Sequence, residues 1–150
     1  MATGYYQFTY GSTATTGISI AYSNDGTNWT PYNPSSNPNQ NQVLQVNNGD
    51  NVQLNFVGPS GWSVTGNVTV IVARALQLPA NQAQAYSPFS DGVLLTRASS
   101  NNQASLGAAS VNNPGQGVMN KYELTVAFSV TNGSSTLSFA EDPEMDVEGT

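Results

Sequence analysis

The sequence predicts an all-β protein: an antiparallel β-sandwich, Ig-like or jelly-roll-like, of about eight strands. Two observations carry this. Apolar residues recur with a period of two along most of the chain, the pattern of strands with one face buried. Clusters of Asn, Asp and Gly interrupt those runs at short intervals, and these residues tolerate the backbone conformations of tight turns. Neither an internal repeat nor a linker divides the 150 residues, so a single domain over 1–150 is expected.

In chain order, Tyr6, Phe8 and Tyr10 alternate with Gln7 and Thr9, which reads as a first strand. Ile18, Ile20 and Tyr22 repeat the pattern, and Asn24-Asp25-Gly26 turns the chain toward Trp29 and Tyr32. Residues 31–42 carry Pro31, Pro34 and Pro38 among Asn and Ser, and read as a long surface loop. Val43, Leu44 and Val46, then Asn47-Asn48-Gly49-Asp50, then Val52, Leu54 and Phe56 form the next hairpin. Residues 68–73 are apolar at both alternating sets of positions, which predicts a central strand covered on both sides, or one at an interface. One helical turn is expected around residues 80–85, between Pro79 and Pro88. A short strand follows at 93–97, then a polar, small-residue stretch over 99–117 with one weak strand near 104–111.

The clearest strand is 122–130, where Tyr122, Leu124, Val126, Phe128 and Val130 alternate with Glu123, Thr125, Ala127 and Ser129. Asn132-Gly133 turns it into a partner containing Leu137 and Phe139. The chain closes on an acidic stretch that holds five of the nine carboxylate side chains in its last ten residues.

Composition excludes several functions. Only Arg74, Arg97 and Lys121 are basic and the net charge is −6, so the chain lacks the basic patch that neutralises a phosphate backbone or an anionic membrane surface. No nucleic-acid partner is expected. No run of 18 apolar residues offers a membrane span. There is no Cys and no His, which removes thiolate chemistry, the usual general base and the commonest metal ligand. Lys121 is the only Lys and opens an ordinary strand, and the carboxylates outside the tail sit mostly in turns. The chain therefore reads as non-enzymatic. Met1-Ala-Thr-Gly-Tyr-Tyr lacks the basic and apolar regions of a signal peptide, which predicts a cytoplasmic protein; an extracellular mature form with an added Met is the other reading.

Four groups of residues invite a functional reading, each beside a plainer one. Ser23-Asn-Asp-Gly-Thr-Asn-Trp29 resembles the Asp-Gly hairpin of discoidin-type and Asp-box β modules, some of which bind sugars. Turn chemistry alone also accounts for every residue in it. Trp29, Tyr32, Trp62 and Tyr86, together with Tyr5, sit near predicted loops and are candidates for stacking on a sugar or anchoring a protein interface. Burial in the core is the plainer fate for each. Glu141, Asp142, Glu144 and Asp146 are weak calcium candidates, since calcium takes six to eight hard oxygen ligands. In Glu144-Met-Asp-Val-Glu148, however, acids alternate with Met145 and Val147, the pattern of an edge strand with apolar residues inward and carboxylates outward. No cofactor is expected beyond that calcium candidate. The Gly49-Asp50 hairpin is similar to one in cupredoxin-like sandwiches, but blue copper needs two His and a Cys, so the likeness bears on fold alone.

The order of several marks resembles the small bacterial inclusion-body proteins of the PixA/AidA type. These marks are the Gly49-Asp50 hairpin, Ser87-Pro88-Phe89 ahead of Thr96-Arg97, the Lys121-Tyr122 strand, and Asp142-Pro143 before a closing Val147-Glu-Gly149. The likeness covers roughly residues 45–150, mostly the last thirty. Two departures stand against it: the apolar opening strand is not recognisable in residues 1–10, and Ala140-Glu141 replaces the aromatic residues before Asp-Pro. The resemblance implies a β-sandwich, abundant accumulation in the cytoplasm and no catalytic residue.

The first functional expectation is accordingly a self-associating bacterial protein of inclusion-body or structural type, a homo-oligomer. The alternatives are a carbohydrate-binding module or lectin, with calcium assisting, and a structural component of a phage or secretion apparatus.

Overall fold

A computed structural model describes residues 1–35, 37–77, 87–111 and 119–148, with backbone alone for 73–77, Pro38 and Met119. Among the described residues eleven strands form two facing sheets. They are β1 (Thr3–Thr9), β2 (Ser19–Ser23), β3 (Thr30–Pro31), β4 (Leu44–Asn47), β5 (Asn51–Val57), β6 (Ser63–Gln77), β7 (Leu94–Ala98), β8 (Gln103–Ala108), β9 (Met119–Thr131), β10 (Thr136–Glu141) and β11 (Glu144–Glu148). The first sheet has the order β3-β2-β1-β5-β8; the second runs β4-β11-β9-β6-β7, with β10 on the same flank of β9 as β11. The fold is an all-β sandwich, as the period-two pattern predicts. Its sheets are mixed, because β1 runs parallel to β5 and β4 parallel to β11.

The side chains between the sheets are the alternating apolar set. Tyr6, Phe8, Leu54, Val68, Val70, Leu124, Val126 and Val147 are all buried. Aromatic rings join the layers: Phe56 and Phe128, on opposite sheets, lie 4.5 Å apart between ring centroids, and Phe8 stacks on Phe56 at 5.6 Å. Such pairs add packing energy beyond their buried area.

The β4–β5 hairpin straddles the two sheets, and Asp50 organises its turn. The Asp50 carboxylate accepts from the Asn47 N–H and the Ala2 N–H, each at 3.0 Å. Gly49, at φ 95°, takes the left-handed conformation that closes the turn. The first and last strands both dock on this hairpin, β1 along β5 and β11 along β4. Gly4 permits a tight approach between β1 and β4, since a Cβ there would sit 2.5 Å from Val46 Cγ1.

Three expectations need correction. β11 is not an edge strand: β9 flanks it on one side and β4 on the other. The alternation it shows does point Met145 and Val147 into the core, but Asp146 on the opposite face is buried as well. Second, of the two readings of 68–73, cover on both faces does not hold: Ile71 is 43% exposed while Val70 and Val72 are buried, which leaves the reading as a strand at an interface. Third, the strand expected near 104–111 is β8, which begins one residue earlier and ends at Ala108. Of the loop expected over 31–42, Pro31 ends β3, and the other described residues are loop apart from a 3-10 turn at Pro38–Gln40 and an Asn33–Gln42 bridge. The helical turn expected at 80–85 lies outside the described residues.

Candidate functional site

The Asp25 hairpin resolves first. Its carboxylate accepts from the Thr27 and Asn28 N–H groups at 2.8 Å, from Asn28 Nδ2 at 2.6 Å and from Ser23 Oγ at 2.9 Å. Ser23 Oγ accepts in turn from the Gly26 N–H at 2.9 Å. These bonds, the Asn28 N–H foremost, hold the Asp25 carboxyl well below the usual carboxylate range. Its oxygens are spent within the turn, so turn chemistry is what this motif performs. The hairpin also places Trp29. The half-buried indole meets Tyr5 edge-on at 6.3 Å, on the outward face of the first sheet. Gly26, with φ 74°, lies against the same Tyr5 ring.

Tyr32 and Trp62 turn the other way and pack against the core. The Tyr32 hydroxyl accepts from the Glu144 N–H at 2.9 Å, and burial pushes its pKa up to about 12. Its ring meets Tyr6 edge-on at 6.1 Å. The Tyr6 hydroxyl accepts from the Leu44 N–H at 3.0 Å and donates to the Glu144 carbonyl. Two tyrosines from the first sheet's half of the molecule thus hold both main-chain groups of the residue that opens β11. Trp62 follows a turn closed by its own N–H to the Pro59 carbonyl at 3.1 Å. Trp29, Tyr32 and Trp62 therefore do not make one platform, and Tyr86 lies outside the described residues.

The acidic residues are also dispersed. Glu141 is half-buried at the end of β10, and its pKa is raised by burial and by Asp142. Asp142 accepts from Thr125 Oγ1 at 2.8 Å. Glu144 lies 3.7 Å from Lys121 Nζ. Asp146 is 3% exposed, with Gln45 beside it on β4 and Lys121 on β9. Burial pushes its pKa up, against the pull of Lys121 and the Gln45 hydrogen bond. Among the described residues no three or more acidic side chains gather closely enough to hold a metal. Strand geometry explains this, since same-face residues along a strand stand ~6.8 Å apart and calcium wants its oxygens at ~2.3–2.6 Å.

Two further surfaces stand out among the described residues. One is the corner formed by β7 and the segment before it. Leu94, Val93 and Ile71 are 58%, 46% and 43% exposed, and Ile71 stands opposite Leu94 in the β6–β7 ladder. Beside them opens a groove of about 790 Å³, lined by Pro88, Phe89, Val93 and Ala108 with serines at 87, 90 and 110. Arg97 spans from β7 to β8, donating to the Ser105 carbonyl at 3.0 Å and to Asp91 at 2.6 Å. The other surface is the outward face of the first sheet, where β1, β5 and β8 carry no charged residue. The two-sided apolar pattern of 68–73 marks Ile71 of the first surface as an interface candidate, but the sequence singles out neither Val93 and Leu94 nor the second surface. Val93-Leu94-Leu95 is a signal for the first, since three consecutive apolar residues on one strand cannot all face inward. For the second, Gln7, Gln53, Asn55 and Gln103 read only as solvated alternates until pairing sets them side by side.

No helix among the described residues is long and apolar enough to cross a membrane. The chain matches no protein-family model and no curated protein.

Proposed function

We propose that the protein is a non-enzymatic structural protein that associates with copies of itself through the β7 corner. The observation that carries this reading is the exposed apolar set of Ile71, Val93 and Leu94 at the end of a sheet. An end strand offers a row of main-chain donors and acceptors to another strand. Apolar side chains beside that row add the burial that drives association. A second copy is the natural occupant, because antiparallel pairing of β7 with its own symmetry mate is self-complementary. Charge at the corner itself is balanced, so repulsion between copies comes from elsewhere on the chain. Asp91 and Arg97 neutralise each other there, while five carboxylates gather over 141–148, in β10, β11 and the residues between them. The resemblance of residues 45–150 to inclusion-body proteins supports the same reading.

Light scattering across a series from about 10 μM to about 1 mM spans weak to moderate association. The expected mass is that of a dimer or larger, and Leu94→Lys returns it to one chain with an unchanged circular dichroism spectrum. A strict monomer for the unmodified chain at the highest concentration overturns the proposal.

A further inference from the structure

We infer that the outward face of the first sheet is a binding site for a neutral, linear polysaccharide of pyranose units. Pairing aligns its residues in rows that run across the strands. Gln7 stands opposite Asn55, and Asn55 opposite Gln103. In the adjacent row Tyr5 stands opposite Gln53, with Trp29 edge-on to Tyr5. Neighbouring strands lie ~4.8 Å apart, so each row presents one side chain per ~4.8 Å. That spacing is close to the advance of one pyranose ring in an extended glycan. A chain laid across the strands can therefore meet one amide per sugar.

The side chains suit that ligand. Each amide offers an acceptor oxygen and two donor hydrogens in one plane, which matches neighbouring hydroxyl groups that both donate and accept. Gln53 Nε2 donates to Asn55 Oδ1 at 2.9 Å, tying the two rows together and fixing both amides before any ligand arrives. Preorganisation of this kind lowers the ordering cost of binding. The Tyr5–Trp29 pair supplies the apolar ring faces on which the C–H side of a sugar rests, and the hairpin hydrogen bonds of Asp25 hold Trp29 in place.

Charge narrows the class. β1, β5 and β8 hold no Asp, Glu, Lys or Arg, and Arg97, which reaches the Ser105 carbonyl on β8, is neutralised by Asp91, so the strands of the face offer no charge to balance a uronic acid or a sulfate. The net charge of −6 repels such chains as well. The ligand is therefore uncharged. The face lies on the opposite sheet from Leu94, so glycan binding and self-association are separable by mutation.

Titration of the ¹⁵N-labelled protein with cellohexaose and chitohexaose, read by NMR, tests the inference, with hexagalacturonate as the anionic control. Shifts are expected in the side-chain amides of Gln7, Asn55 and Gln103 and in the Trp29 indole. Asn55→Asp should weaken the better hexasaccharide at least roughly tenfold. Gln103→Ala, on the exposed end strand, should weaken it as well and guards against a folding failure of the first variant. Leu94→Lys should bind as the unmodified chain does. The inference fails if neither neutral hexasaccharide shifts these signals at about 10 mM, if hexagalacturonate binds as tightly, or if both variants bind normally. It also fails if the variants change only the mass seen by light scattering, which would assign the face to contacts between copies.

Discussion

Replacing Tyr6 by Phe removes one oxygen atom and should be among the most damaging conservative changes in the protein. The ring stays in the core, so no cavity term arises. What is lost is a hydroxyl that serves two main-chain groups on the opposite sheet, the Leu44 N–H and the Glu144 carbonyl. Tyr6 has no exposed surface, so water does not replace it. Each buried polar group left without a partner costs about 1–3 kcal/mol, so the substitution should cost roughly 2–4 kcal/mol. That is a large share of a typical domain stability of about 5–15 kcal/mol. For a chain of this length it lowers Tm by roughly 9 °C. Tyr32→Phe is the internal control. It also removes one hydroxyl, but from a half-buried site with a single main-chain bond, and should cost about 0.5–1.5 kcal/mol. Urea denaturation at unchanged m reads the two midpoints. If Tyr32→Phe costs as much as Tyr6→Phe, or if Tyr6→Phe leaves the midpoint in place, the bridging role assigned to this hydroxyl is wrong. Alkali gives a second reading. Both phenols have raised pKa values, so the folded state favours their neutral form. Their contribution is complete below the ordinary value of about 10 and is lost as pH rises through the folded-state values. The unmodified chain should lose stability above that point, and Tyr6→Phe should lose less.

Asp25→Ala should release the hairpin cap and shift Trp29 emission to longer wavelength while leaving the core folded; an unchanged emission spectrum would separate Trp29 from the cap. In the unmodified chain that emission should stay constant down to about pH 4, because the Asp25 carboxyl is held well below the usual range. Asp146→Asn should leave Tm equal or higher at pH 7. The raised pKa of Asp146 means that the folded state holds its proton more tightly than the unfolded chain, so ionisation there works against folding. A clear fall in Tm would show instead that its contact with Lys121 outweighs burial. Acidification toward about pH 4 should enlarge the associated particles, as Glu141 and Asp146, with raised pKa values, lose charge early and repulsion between copies falls. Equal particle sizes at pH 7 and pH 4 would count against charge as the brake on assembly.

Much of this fold is legible in the sequence because strand alternation is a local signal. Tyr6 and Phe8, Leu54 and Phe56, Leu124 to Val130 and Met145 with Val147 all face inward as their spacing predicts. Pairing between distant strands is not local. Nothing around Asp146 announces that β4, a hundred residues earlier, lies along its flank and makes an apparent edge into an interior strand. The same limit hid the roles of the aromatic residues. Tyr32 and Trp29 are three positions apart, yet one supports the core and the other sits outside with Tyr5. The amide rows have no sequence signature at all, since Gln7, Asn55 and Gln103 become neighbours only through strand register.

The hairpin at residues 44–57 grips both the first strand and the last, and this sets the order of events during synthesis. β1 and β5 can pair early, but β4 has no ladder partner until β11 has been made. Tyr6 must hold its hydroxyl for a carbonyl 138 residues away. Contacts so distant in sequence make folding slow. Until β11 arrives, β4 and one flank of β9 stand open, each a template for the same strand of another copy. At high concentration a neighbour's β11 can compete for that gap before the chain's own strand docks.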